Sequence, residues 1–182
     1  AASQNNWSHA DTISLAANQD EIQAFSQAKK TRKTLIDDKT DRAEIKIEQI
    51  TCTADDQPIV YFSADVYVAS TQYVKTAFAK SMYGKNIRDF VSAMAKQNQA
   101  SLAISGDSYG ESDSVCVIRN GEVYSRNPGT SDVCVLFSDG TMKTYAASQF
   151  DADTVIAQGA WQAWTFGPAL LDGSGNVPES FH

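Results

Sequence analysis

A chain of 182 residues is long enough to bury one ordinary domain core, with or without an arm, and a 42% hydrophobic fraction places it among globular chains. Its formal net charge of -7, from 15 basic and 22 acidic residues, argues against a nucleic-acid groove, which needs Lys and Arg gathered on one face. No stretch approaches the roughly 20 consecutive apolar residues of a membrane-spanning helix, so no membrane span is expected.

The chain opens "AASQNN", polar and small, as a mature or trimmed polypeptide would, and leaves open an anchor or signal upstream. Residues 1–42, rich in Ala, Gln, Asn and Lys, read as an N-terminal helical arm or linker, and Ile22, Phe25 and Ala28 or Lys29 stand at helical spacing. That spacing predicts a helix from about Asn18 to Lys33, with a frayed segment as the alternative. The basic cluster Lys29 to Lys33, beside the acidic run Asp37 to Asp41, reads as a solvated helix face.

From residue 43 the period becomes two. "AEIKIEQITC" alternates Ile45, Ile47 and Ile50 with charged and polar residues, and after a turn at Asp55 to Pro58 a long β-rich run follows from Ile59 to Ala69; the two make an antiparallel pair. "IRDFVSAMAKQNQA", Ile87 to Ala100, places Ile87, Phe90, Val91 and Met94 on one face of an amphipathic helix. Leu102 to Ile104 then reads as a strand end, broken by Ser105-Gly106-Asp107-Ser108, which puts the Asp107 carboxylate on a tight loop. Val115 to Ile118, Asn120-Gly121 and Glu122 to Tyr124 spell a hairpin, and "DVCVLFSDGTMKTY" a second one. "DADTVIAQGA" reads as a short helix and "AWQAWTFGPALL" as a final strand with a bend at Gly167-Pro168. Together these elements predict an α+β fold with a largely antiparallel sheet and packed helices, in which Phe90, Val91, Met94, Leu102, Ile104, Val117 and Leu136 are buried together.

Cys52, Cys116 and Cys134 match no zinc or redox spacing. Cys116 and Cys134 both lie in apolar strand-like runs and could bridge if those strands were neighbours; buried thiols are the other reading. His9 and His182 stand at opposite ends of the chain, which argues against a Ser-His-Asp triad or a histidine zinc site. No cofactor is called for, and a divalent cation is left open.

Taken in order, "YVKTAFA", "AISGDSYG", "VIRNGEVY", "LFSDGTMKTY", "GAWQAWTFGPALL" and "DGSGNV" resemble the first part of the phosphodiester glycosidase family, over residues 43–182. The ordered set carries the resemblance, since single glycine turns occur everywhere. It implies hydrolysis of a sugar-1-phosphodiester at the anomeric carbon, an extracellular or cell-surface setting linked to exopolysaccharide metabolism, and a sugar phosphodiester or glycan as partner. It also implies a second polypeptide segment that completes the domain, because the family continues into further site-lining motifs beyond "NVPESFH". A phosphate monoester leaves far more readily than a sugar alkoxide, so cations and hydrogen-bond donors around the phosphate, with one or two carboxylates, suffice.

On this resemblance Asp107 is the candidate base or sugar-contacting carboxylate and Arg119 the candidate phosphate ligand, since a guanidinium can fork two oxygens. Ser105, Gly106, Asn120 and Gly167 are the candidate substrate-binding residues; no residue is assigned to a metal. Each has a plainer alternative: Asp107 as an Asx-turn loop cap, Arg119 as a surface strand residue, Gly167-Pro168 as a strand terminator. Trp161 and Trp164 either stack a sugar or pack in the core. Ser105 and Ser108 stand where the family commonly has Asn and an aromatic residue, which keeps a catalytically weakened carbohydrate-binding or surface interaction module of the same fold as the rival function.

Overall fold

The computed structural model describes residues 25–54, 57–106, 115–165, 168–171 and 175–177. Asp107 and Gly167 lie outside the described residues. Two compact units emerge, divided between Tyr67 and Val68.

The first unit holds a three-stranded sheet of order β1-β2-β3, formed by β1 (Thr31–Lys39), β2 (Ala43–Ala54) and β3 (Gln57–Val68). The central strand carries the burial: Ile45, Ile50 and Cys52 are its apolar core residues. Glu48 is buried beside them and is held by Arg32 at 3.1 Å and Lys46 at 3.2 Å. Those cations keep its carboxyl below the ordinary range, the hydrogen bond from Lys46 contributing most. β1 and β2 are antiparallel, with a bulge that skips Leu35 between Thr34 and Ile36. The helix expected over 18–33 is therefore corrected in its described part: residues 25–27 are helical, but Thr31 onward is strand. Pairing with β2 and the β-branched Thr31, Thr34 and Ile36 decide the matter, a non-local gain that helical spacing over a few residues cannot register.

The second unit holds a five-stranded sheet of order β5-β4-β8-β6-β7. Its strands are β4 (Cys116–Arg119), β5 (Glu122–Arg126), β6 (Val133–Phe137), β7 (Met142–Tyr145) and β8 (Ala160–Thr165). Every pairing in it is antiparallel. The fold is α+β, as the sequence predicts, and both hairpins form where expected. Ala163, at the centre of β8, lies opposite Ile118 on one side and Val135 on the other. Those three residues share a core with Cys116, Val133, Phe137, Val155 and Ala160. The short helix Ala152–Ala157 brings Val155 onto this face; Asp151 caps it by accepting from the Thr154 N–H at 2.7 Å. Because β8 separates β4 from β6, Cys116 and Cys134 sit on non-adjacent strands and remain thiols.

The second helix is shorter than expected, Val91–Gln97, and is not a core element. Phe90, extended at φ -76° and ψ 135°, delays its start to Val91, and Gln99, left-handed at φ 52°, follows its end. Phe90 is 80% exposed and Ile104 84%, while Leu102 and Val91 are also exposed. Residues 101–106 form no strand. Of the residues expected to be buried together, Val117 and Leu136 are in the sheet interior, and the helix face and the 102–104 run are not. The apolar face of β4, β8 and β6 is already filled by Val155 with Ile156 and Phe150, so it takes its cover from the Ala152–Ala157 helix.

Among the described residues no helix is long and apolar enough to cross a membrane, and no three His, Cys, Asp or Glu side chains come together as a metal site would require.

Candidate functional site

The β4–β5 hairpin turns on Asn120 (φ 53°) and Gly121 (φ 81°), two successive left-handed residues that match the right-handed twist of the flanking strands. This turn throws the Asn120 side chain onto the segment 74–76. Its Oδ1 accepts from the Thr76 N–H at 3.0 Å, and its Nδ2 donates to the Thr76 carbonyl at 2.9 Å, so one amide pairs with a main-chain amide as a strand would.

Gln162, wholly buried on β8, completes the arrangement. Its Oε1 accepts from the Thr76 hydroxyl at 2.9 Å and from the Asn120 N–H at 3.1 Å. Its Nε2 donates to the Val74 carbonyl at 3.1 Å and to Asn120 Oδ1 at 2.8 Å. All four hydrogen-bonding positions of the Gln162 amide are thus used, as burial demands. Trp161 adds a bond from its indole N–H to the Val74 carbonyl at 2.8 Å, and its own carbonyl accepts from the Gly121 N–H at 2.8 Å.

Two bulges aim the aromatic side chains. The β4–β5 register skips Tyr124, and the β6–β8 register skips Trp161. Tyr124 joins Phe78 and Tyr83 in a three-ring cluster with centroids 4.7, 5.2 and 5.5 Å apart, Tyr83 being exposed and the other two half-buried. The Tyr124 hydroxyl donates to the Glu122 carboxylate at 2.7 Å, and that bond raises the pKa of the phenol. Glu122 and Tyr124 thereby place a carboxylate and a hydroxyl beside tilted and edge-on rings.

Arg119 is 2% exposed. By strand alternation its side chain leaves the sheet on the face opposite Ile118, and one Nη donates to the carbonyls of Ile118 and Ala163. It is a buried cation beneath the hairpin. Ser105 and Gly106 are exposed in irregular chain, and among the described residues nothing lies within 4 Å of where a Gly106 Cβ would be. The structure therefore brings Arg119 and Asn120 together at one turn and places Asn120 in a strut. Trp161 is held by its indole hydrogen bond and by the packing of its ring, which a Cβ at Gly121 would meet at 3.5 Å. The residues that sequence reading passed over are Thr76, Gln162, Glu122 and Tyr124. Gln162 had a signal: a large amide inside the apolar run "AWQAW" must find buried partners.

The SPbeta prophage-derived uncharacterized protein YomE of Bacillus subtilis (strain 168) is 32% identical over 100 residues, which cover 52% of this chain and 16% of that protein. The chain thus matches a small part of that relative's length. No protein-family model matches, and no solved structure does.

Proposed function

We propose that the polypeptide containing this chain is a glycoside hydrolase of the phosphodiester glycosidase type, releasing the sugar of a sugar-1-phosphodiester such as a GlcNAc-1-phosphodiester at the cell surface or in exopolysaccharide metabolism. One observation carries the reading. Three of the separate stretches on which the resemblance rests, 73–79, 117–124 and 159–171, meet in a single hydrogen-bonded network through Thr76, Asn120, Gln162 and Trp161. Stretches far apart in sequence that converge on a saturated polar network form one built surface rather than scattered turns. The Phe78, Tyr83 and Tyr124 rings beside Glu122 add apolar faces and a hydrogen-bond acceptor of the kind a sugar ring uses.

In the proposed reaction Asp107 takes a proton from the water that attacks the anomeric carbon, and the phosphate monoester leaves as an anion that needs no protonation. Arg119 acts as a buried positive charge under the hairpin, and Ser105, Gly106 and Gly167 are the proposed substrate-contacting residues. A sugar-binding module without hydrolysis is the second reading, favoured by the engagement of the Arg119 guanidinium with main-chain carbonyls. The deciding experiment is incubation of the full-length protein with a GlcNAc-1-phosphodiester. Release of GlcNAc that falls at least about 100-fold in Asp107→Asn supports the hydrolase. Binding of the compound without release would leave the module.

A further inference from the structure

The outermost strand of the three-stranded sheet, β1, pairs among the described residues with β2 alone. All nine of its residues are exposed, and its two large apolar side chains, Leu35 and Ile36, are exposed at 44% and 45%. An edge of this length carries a row of N–H and C=O groups that another strand can match. Its charges decide which strand. Arg32 and Lys33 precede the apolar pair, and Asp37 and Asp38 follow it. A parallel neighbour of the same sequence would set like charges side by side; an antiparallel one sets the basic half of each strand against the acidic half of the other.

The bulge at Leu35 fixes the register. Lys33 lies opposite Gln49 and Asp38 opposite Ile45, which places Lys33 and Asp38 on one face of the sheet; Thr34 and Asp37, opposite Glu48 and Lys46, are on the other. Residues directly opposed in an antiparallel ladder share a face, so Lys33 can stand against the partner's Asp38 but not against the partner's Asp37. The two-fold axis then falls between Leu35 and Ile36, and each Leu35 meets the partner's Ile36. This register also opposes Arg32 to the partner's Lys39. Each of those cations already has its own carboxylate, Glu48 at 3.1 Å for Arg32 and Glu44 at 2.6 Å for Lys39, which removes most of the repulsion.

We propose that β1 pairs antiparallel with β1 of a second copy of this chain, joining the two three-stranded sheets into one continuous sheet about a two-fold axis. Such an interface is self-complementary, so every contact occurs twice. The other edge, β3, carries Asp65 as its one charged residue and has no such self-matching pattern.

The test is sedimentation equilibrium of the 182-residue chain with single and double charge swaps at exposed positions, their folds checked by circular dichroism. The wild type is expected to be a dimer that weakens as salt is raised. Lys33→Asp and Asp38→Lys should each weaken dimerisation by about fivefold or more, since each removes two symmetry-related pairs. The double swap should bring the dissociation constant back to within about twofold of the wild type, because the pairs are re-formed with signs exchanged. A monomer at the highest attainable concentration overturns the proposal. So does association that the single swaps leave unchanged, or open-ended growth to larger species, which would place the contact on β3 or on an apolar sheet face.

Discussion

Gln162 shows how one buried side chain can hold a site together. Replacing it with leucine keeps the volume but leaves the Asn120 N–H and the Thr76 hydroxyl without their present partner, while the Val74 carbonyl keeps the Trp161 indole bond. At about 1–3 kcal/mol for each buried group left unsatisfied, discounted for water that reaches the exposed ones, Gln162→Leu should cost roughly 2–4 kcal/mol in urea unfolding. Gln162→Glu is the informative companion, since it keeps the acceptor and changes the donor. A Leu variant of wild-type stability would show the network to be ornamental. Two carboxylates give the pH dependence a definite sign. Asp151 is held below its ordinary range by the side-chain and backbone bonds from Thr154, and Asp139 by the Thr141 N–H. Both pKa values are lowered on folding, so their stabilisation is complete above the unfolded-state carboxyl range near about pH 4 and is lost as pH falls through the folded values. Asp151→Asn keeps a good helix cap but cannot titrate, and its melting temperature should fall less on acidification than the wild type's. Equal slopes would remove Asp151 from the acid transition.

Elements with a local chemical signature were legible in the sequence. Asn120-Gly121 and Asp139-Gly140 mark hairpins because few residues accept positive φ, and Asp151 marks a helix start because its carboxylate can meet an orphan N–H. β1 and the exposure of the Val91–Gln97 helix were not legible, because each depends on what distant chain does. Leu35 and Ile36 follow a basic cluster that reads equally well as a helix face, and the pattern of Phe90, Val91 and Met94 does not reveal that the sheet's apolar face takes Val155 instead. Around the site, the Asn120-Gly121 turn was legible and Gln162 was missed, since its four partner groups come from two other segments. Two glycines test how much the turns themselves weigh. Gly121 has room for a methyl group, so Gly121→Ala should cost only the left-handed strain of about 1–2 kcal/mol. Gly159, at φ 92° after the Ala152–Ala157 helix, would bring a Cβ to 3.0 Å from Ser138 Oγ, so Gly159→Ala should cost more. Thermal unfolding of the pair checks the order, and the reverse ranking would mean that Ser138 moves aside without loss.

At the scale of the whole molecule the two units differ in how they treat their edges. The five-stranded sheet ends in β5 and β7, strands of five and four residues that carry Glu122 and Arg126 on one side and Lys143 on the other. Short, charged edges resist further pairing. The three-stranded sheet ends in strands of nine and twelve residues, with Leu35, Ile36, Val60, Phe62 and Tyr67 exposed. Among the described residues its buried apolar side chains are Ile45, Ile50 and Cys52, a small set for a sheet that size, whereas the core built on Ile118, Ala163 and Val135 draws every described member from within 116–163. A fragment of residues 68–169 should therefore fold alone and stay monomeric, and residues 25–67 alone should be unfolded or associated. An amide nitrogen–proton spectrum checks the first half: dispersed, sharp peaks at a rotational correlation time for a monomer are expected. Collapsed peaks would show that the five-stranded sheet needs the rest of the chain to fold. Dimerisation by the 68–169 fragment as strong as that of the full chain would move the self-association away from β1 and onto a sheet whose edges are built to prevent it.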